Sequence, residues 1–302
     1  MTDSSTNAGL EARREDCFRS DEPSPLVSVV IATYNVADAL ELTIRSILKQ
    51  DFKSFEVVVA DGASQDRTVS LLQSMDERVV HWTSQPDKGI YDAFNKACRM
   101  VRGEWILFLG AGDLLNDDKV LARFASAAAQ VDSSTEIIYG KVQVTDPHYN
   151  QVELLNRPWS EMEGRWRGGR PMIPHHQGVF HRRCLLSGES PFDTTYRTAA
   201  DSKVVFRSMA RISPVFMDSV VALATEGGES TTFRNYLRTA TEIIRVNQEL
   251  NHGHYLLQGI YYFKILGTYL AYRLGGERLA RFSIAAYRAL QGRKGPPAYK
   301  AD

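Results

Sequence analysis

Four short stretches of this sequence set acidic or polar side chains beside glycine just after an apolar run. They are Thr33-Tyr34-Asn35, Asp61-Gly62-Ala63-Ser64, Gln85-Pro86-Asp87-Lys88-Gly89 and Gly110-Ala111-Gly112-Asp113. Singly, each reads as a turn, because Asn, Asp and Gly are turn formers. Together they read as a ligand site, since open α/β sheets bind ligands beyond the carboxyl ends of their strands. Asp61 offers a carboxylate that can accept from a base N–H or from ribose hydroxyls. Lys88-Gly89 precedes a helical pattern, and a helix N-terminus beside a lysine favours a diphosphate. Asp113 offers one carboxylate that, with substrate phosphates, can hold Mg²⁺ or Mn²⁺. Neither GxxxxGK[ST] nor GxGxxG occurs, so neither a P-loop nor a dinucleotide fingerprint is present.

Two further groups stand apart. His175, His176 and Gln177 are consecutive. On a strand, neighbours face opposite ways, which argues against both histidines serving one metal. A packed loop histidine is the competing reading. Asp201 precedes Val204, Val205 and Met209 at helical spacing, which is the pattern of a helix N-cap. His181-Arg182-Arg183 reads as a solvated helix start.

The elements that must carry these residues alternate. Apolar runs at Leu26–Thr33, Phe55–Ala60, Val79–Thr83 and Trp105–Leu109 read as buried strands. Helical patterns follow each of them: 39–50 with Asp38 as N-cap, 66–75, 90–101 and about 117–130. In the third of these, Ile90, Phe94, Ala97 and Val101 share one face, while Asp92, Asn95, Lys96 and Arg99 share the other. Continuous apolar strands alternating with helices indicate a mostly parallel sheet flanked by helices. After 136–139 the alternation stops, and 156–174, rich in Trp, Arg, Gly and Pro, reads as an irregular loop over the site. From 231 the chain reads as helical, with a break at Gly275-Gly276.

Composition sets the class. The 302 residues are 43% hydrophobic and 24% charged, with 36 basic and 36 acidic side chains, an ordinary globular balance. Zero formal charge argues against a nucleic-acid-coating role. The distribution is uneven: residues 1–22 carry six acids against three arginines, and 231–302 carry eleven Lys/Arg against four acids. Residues 1–24 read as a disordered leader without a secretory h-region. Cys17, Cys98 and Cys184 show no paired spacing and read as reduced thiols. The stretch 255–274 has the length of a span but is interrupted by Gln258, Lys264 and Arg273.

The runs PLVSVVIATYN, EVVVADGASQDRT and DKGIYDAFNKACRMVRGEWILFLGAGD resemble the family 2 glycosyltransferases, across about residues 25–230. The resemblance implies a GT-A fold with a C-terminal helical extension at 231–302. It also implies inverting transfer from a nucleotide-diphosphate sugar to an acceptor hydroxyl. The nearest likeness is to non-processive bacterial enzymes of exopolysaccharide or lipopolysaccharide biosynthesis. By this resemblance Thr33, Tyr34 and Asn35 frame the nucleotide, Asp61 meets base or ribose, and Lys88, Gly89 and Asp92 continue the donor pocket. Asp113 is the surviving metal ligand for Mn²⁺ or Mg²⁺. The family usually shows two or more acids there, whereas this chain reads GAGD. Asp201 falls at the position of the catalytic base; His176 or Gln177 is a candidate to meet acceptor or diphosphate on its residue type alone, apart from the resemblance. Gly227-Gly228-Glu229-Ser230 resembles a closing motif of the same subfamily.

The processive synthases carry several spanning helices and QxxRW, so single addition is expected. The expected acceptor is a lipid-linked saccharide, with the enzyme cytoplasmic and peripheral on the inner membrane face. In the tail, Tyr261, Tyr262, Phe263, Tyr269 and Tyr272 mix with Lys264, Arg273, Arg278, Arg281 and Arg288, a pattern suited to an anionic leaflet. A helical cap or a dimer contact is the competing reading. Two rivals to the transferase remain: a catalytically silent sugar-nucleotide-binding scaffold, favoured by GAGD, and a nucleotidyltransferase, disfavoured by TYNVADAL after the first strand.

Overall fold

Strands buried on both faces need no polar alternation, and the first, second and fourth here are such runs, whereas the third, Val80–Ser84, is a half-buried edge strand rather than the buried strand expected. The computed structural model describes residues 24–146, 148, 150–167, 170–225, 233–250 and 255–290. The first half contains β1 (Val27–Thr33), α1 (Ala37–Leu48), β2 (Phe55–Asp61), α2 (Thr68–Gln73), β3 (Val80–Ser84), α3 (Ile90–Cys98) and β4 (Trp105–Gly110). Next come β5 (Leu114–Leu115), α4 (Val120–Ala128), β6 (Ile137–Thr145), β7 (Gln151–Leu155), α5 (Trp159–Met162), β8 (Trp166–Arg167) and β9 (Arg170–Pro171). The chain continues with β10 (Val179–Arg182), α6 (Ala200–Met209), β11 (Val215–Thr225), α7 (Phe233–Glu249) and α8 (Tyr255–Leu290), the last broken at Gly275 and Gly276.

The main sheet runs β3-β2-β1-β4-β10-β6-β11-β5, with β7 beside β6. β1 to β4 are parallel, as expected, and Thr33 pairs in register with Asp61, Asp61 with Ser84, and Ala32 with Gly110. That register brings the polar strand ends into one row. The second half is mixed: β10 is antiparallel to both β4 and β6, whereas β11 is parallel to β6. Helices cover both faces. Val30, Val58 and Phe108 pack with Phe94 of α3, Val205 of α6, and Ile243 and Val246 of α7. Val29, Val57 and Leu107 pack with Leu40 and Ile44 of α1 and Phe124 of α4.

Several local expectations are corrected. Asp38 is not the N-cap of α1; Val36 holds that position, and Asp66 accepts the Ala37 N–H from across the loop at 3.1 Å. Ile90 is exposed and Asn95 is buried, because the Asn95 amide makes two bonds to the Phe192 backbone, at 2.8 and 2.9 Å. His181 and Arg182 are not a solvated helix start but buried strand residues. Arg182 is satisfied there by the Thr135 and Asp132 carbonyls and by the Glu104 carboxylate, with its guanidinium over Trp105. Within 156–174 the chain makes α5 and the β8–β9 pair. Cys98 and Cys184 are free thiols. The leader, Cys17 and the Gly227–Ser230 motif lie outside the described residues.

Candidate active site

The loop after β1 is tied to the loop after β2. Asn35 adopts φ +53°, and its N–H donates to Ser64 Oγ at 2.7 Å while its Oδ1 accepts the Gln65 N–H at 2.7 Å. Asp61, buried, accepts from the Ser64 N–H at 3.0 Å, Ser64 Oγ at 2.5 Å and Ser84 Oγ at 2.6 Å. Asp61 therefore organises three strand ends as well as offering a carboxylate. Gly62 is required by crowding: a Cβ there would lie 2.6 Å from Asp87 Oδ2 and 3.3 Å from the Tyr34 ring. Tyr34 is 60% exposed, and Thr33 Oγ1 is buried without a hydrogen-bond partner among the described residues. An orphaned buried hydroxyl is the kind of group a ligand satisfies.

The loop before α3 is held by its own carboxylates. Asp87 Oδ1 accepts the Gly89 N–H at 2.8 Å, and Asp92 Oδ2 accepts the Lys88 N–H at 3.1 Å. Burial alone would raise the Asp92 carboxyl, but the Lys88 N–H and the Lys96 ammonium, 3.3 Å away, outweigh it and hold the group below its usual range. Gly89 sits at φ +120°, a conformation that favours glycine, and it turns the chain into α3. The Arg197 guanidinium donates to the Lys88 carbonyl.

One turn into α3, Tyr91 reaches 110 residues along the chain, donating its phenol to Asp201 Oδ1 at 2.8 Å. Tyr91 is buried and stacked on Phe192, and burial with the nearby Asp201 charge drives its phenol well above the ordinary value. It therefore stays a donor. Asp201 lies in the first turn of α6, whose cap position is Ala199, so the N-cap reading is replaced. Its second carboxylate oxygen has no hydrogen bond among the described residues.

His176 and Gln177 are not on a strand. They form a 3₁₀ turn, His176–Gly178, fixed by Asn156, which accepts the His175 N–H at 2.6 Å and donates to the Gly140 carbonyl at 2.7 Å. The His176 ring stacks on Phe108 at 5.8 Å, and its Nδ1 is buried without a partner among the described residues. Burial lowers the His176 value, opposed by the charge of nearby Asp201. His181, behind it, is pushed down to about 3 by burial.

Asp113 closes the row. It is buried, and Oδ2 accepts the Gly110 N–H at 2.8 Å. Burial pushes its carboxyl up to about 6, against hydrogen bonds from Gly110, the Gln177 side chain and the Thr225 backbone. The glycines of GAGD have physical reasons. A Cβ at Gly110 would stand 3.0 Å from Asp113 Oδ2, and Gly112 sits at φ +104°. Among the described residues no three His, Cys, Asp or Glu side chains come together. Gln177 Oε1, beside Asp113, is a buried acceptor without a partner among the described residues. One carboxylate and one orphaned amide oxygen, completed by diphosphate oxygens and water, fit a hard divalent cation.

A family model for glycosyl transferase family 2 matches residues 28–201. The chain belongs to glycosyltransferase family 2. A "PGL/p-HBAD biosynthesis glycosyltransferase" of Mycobacterium bovis is 32% identical over 224 residues, covering 69% of this chain and 80% of its own. Among solved structures, a mannosyltransferase of Pyrobaculum calidifontis, in complex with GDP-Man and Mn²⁺, superposes with a TM-score of 0.58 at 19% identity. It covers 97% of this chain and 86% of its own. S. aureus TarS 1–349 in complex with UDP-GlcNAc gives 0.55 at 15% identity, covering 86% and 80%. At those identities the likeness shows the GT-A fold. The protein is thus a GT-A glycosyltransferase with a helical C-terminal region.

Contacts link the residues expected from the sequence into one site. Lys88 and Gly89 meet Arg197, Tyr91 meets Asp201, Asp201 lies near His176, and Gln177 meets Asp113. Thr33, Tyr34, Asn35 and Asp61 sit at the adjoining strand ends, joined through Gly62 and Asp87. The sequence reading included Asp87 and Ser64 in its strand-end runs without giving them a role, and did not single out Tyr91 or Arg197. Asp87 and Tyr91 flank Lys88-Gly89 in the same run, which was the available signal. Arg197 carried none.

Proposed function

We propose that this glycosyltransferase performs single inverting transfers from a nucleotide-diphosphate sugar to a hydroxyl of a lipid-linked saccharide, in bacterial exopolysaccharide or lipopolysaccharide biosynthesis. The observation that carries this reading is the Tyr91–Asp201 pair, a carboxylate with one oxygen held by a buried phenol and the other without a hydrogen bond among the described residues. Inversion at the anomeric carbon needs a base that removes the acceptor hydroxyl's proton as its oxygen attacks from the face opposite the diphosphate. Asp201 takes that proton while the acceptor oxygen–C1 bond forms. The C1–phosphate oxygen bond breaks, and its electron pair leaves with the nucleoside diphosphate.

Tyr34 and Asn35 frame the base, Thr33 Oγ1 and Asp61 face the ribose side, and Lys88 with the Gly89 turn and Asp92 borders the diphosphate. Asp113 and the Gln177 carbonyl would hold Mg²⁺ or Mn²⁺, which neutralises the charge on the departing diphosphate. His176 walls the site on the acceptor side, and its apolar packing excludes water from around the base. The P. calidifontis and S. aureus neighbours, named with GDP-Man, Mn²⁺ and UDP-GlcNAc, support a donor of this class. The reading also places the enzyme in the cytoplasm, peripheral on the inner membrane face, where a lipid-linked acceptor is reached.

The test is nucleotide release from a panel of UDP- and GDP-sugars, with and without Mn²⁺, in wild type and Asp201→Asn. Turnover of one donor by wild type, reduced by about 10²-fold or more in the variant, is expected for loss of a general base. If donors bind by calorimetry yet none is cleaved, even with lipid-linked acceptors supplied, the silent scaffold replaces this reading. The single carboxylate of GAGD is what favours that rival.

A further inference from the structure

A helix that is apolar all round is normally buried on all sides. The first segment of α8, up to the break at Gly275, carries apolar side chains on two opposite sides, interrupted by Gln258, Lys264, Thr268 and Arg273, and among the described residues it is buried on one side only. Tyr261 and Ile265 are buried against Ala240 and Ile244 of α7. On the opposite side, Ile260, Phe263, Leu266, Leu270 and Leu274 are exposed, Phe263 at 72% and Leu274 at 84%. Spacings of three and four place these five on one stripe. At 100° per residue, Lys264 and Arg273 fall on its two edges. No Asp or Glu occurs anywhere from 250 to 276, and the chain from 231 onward carries eleven Lys/Arg against four acids. Among the described residues no helix is long and apolar enough to cross a membrane.

We infer that this face of α8 lies in the plane of an anionic bilayer surface, its five apolar side chains among the acyl chains and its basic edges at the headgroups. The charge pattern selects this occupant. A second copy of the chain would bring the same basic edges against themselves, whereas an anionic leaflet complements both. Long cationic side chains flanking an apolar stripe reach back to the headgroup level while their stems cover hydrocarbon. The seat is connected to the candidate site through α7: α8 packs on α7, and the Glu242 carboxylate of α7 accepts the Arg197 and Thr198 N–H groups at 2.9 and 2.8 Å, just before α6 and Asp201. The inference deepens the proposed use of a lipid-linked acceptor and rests on that reading only for its purpose, not for its geometry.

The experiment is co-sedimentation of the full chain with phosphatidylglycerol-containing vesicles and with pure phosphatidylcholine vesicles. Wild type, Phe263→Glu, Leu270→Glu and Lys264→Glu/Arg273→Glu are compared, with donor turnover and oligomeric state measured in parallel. Binding to the anionic vesicles, weakened by about 1 M salt and by about tenfold or more for each apolar replacement, is expected. Turnover of free donor should stay unchanged, since none of these residues touches the site. Equal sedimentation of wild type and variants, or none with anionic vesicles, overturns the membrane seat. A dimer that the same replacements dissociate also overturns it, in favour of self-association. Vesicle binding without any donor turnover leaves the seat standing and removes the transferase reading, so the two fail separately.

Discussion

Asp201 serves as a base only if one oxygen is anchored and the other left to meet an acceptor proton. Tyr91 supplies the anchor, since burial keeps its phenol protonated and Phe192 fixes the ring. Tyr91→Phe removes that hydroxyl and leaves the packing. A hydrogen bond to a charged group is worth about 1.5–3 kcal/mol, so kcat should fall roughly ten- to a hundredfold. The donor KM should hold, because Tyr91 is not placed against the donor; steady-state kinetics with melting as a folding control reads the split. An unchanged kcat would remove Tyr91 from the mechanism. Asp113 poses the opposite problem, a carboxylate held at about 6 by burial. Its folded value lies above the ordinary 3.8, so its ionisation opposes folding. That contribution to stability is complete below about 3.8 and lost as pH rises through about 6. Asp113→Asn should therefore gain about 2–3 kcal/mol at about pH 8 and little at about pH 4. Mn²⁺ binding in the presence of UDP or GDP should weaken below pH about 6 in wild type and disappear in the variant. Denaturant unfolding at both pH values and calorimetry check the pair of effects. A variant that binds Mn²⁺ as wild type does would take the cation away from Asp113.

At the scale of elements, the site depends on loops that lock one another. The Glu242 carboxylate accepts three bonds, from the Arg197 N–H, the Thr198 N–H and Thr198 Oγ1 at 3.0 Å, and Arg197 in turn reaches the Lys88 carbonyl. α7 thereby ties the entry of α6 to the loop that opens α3. Glu242→Ala should cost about 1 kcal/mol of stability, since two backbone donors, one exposed and one half-buried, lose a charged acceptor. Both kcat and donor KM should worsen, unlike the Tyr91 variant, because two loops loosen together. Stability lost with kinetics intact would reduce α7 to a packing element. This coupling explains what was and was not legible in the sequence. The parallel strands and their polar ends were readable because each is local: an apolar run, then Asn, Asp or Gly. Asn95 and His181 were misplaced because their partners, Phe192 and the Phe108 wall, lie far along the chain. The turn holding His176 and Gln177 depends on Asn156 at φ +65°, a constraint no local pattern announces.

For the whole molecule, the sequence pattern divides the chain near 230, where α/β alternation gives way to helices. The packing crosses that line. Ile243 and Val246 of α7 are buried in the same cluster as Val30, Phe108 and Val205, so the C-terminal region completes one face of the sheet. α8, by contrast, adds Tyr261 and Ile265 on the outer side of α7, in a small separate cluster. The two helical segments should therefore separate in a truncation series. A chain ending at 250 keeps the core and the Glu242 clamp, exposing mainly Ala240 and Ile244, and should fold and turn over free donor. A chain ending at 232 uncovers Val204, Val205 and Phe206 and leaves Arg197 and Thr198 without their acceptor. Losing even two buried Ile/Val contacts costs about 3–6 kcal/mol at 1.5–3 kcal/mol each, comparable with a typical total stability of about 5–15 kcal/mol. That chain should unfold or aggregate. Circular dichroism melting and donor turnover of both truncations decide the matter: a folded, active chain ending at 232 would show that α7 is an appendage, and would withdraw its role in positioning Asp201.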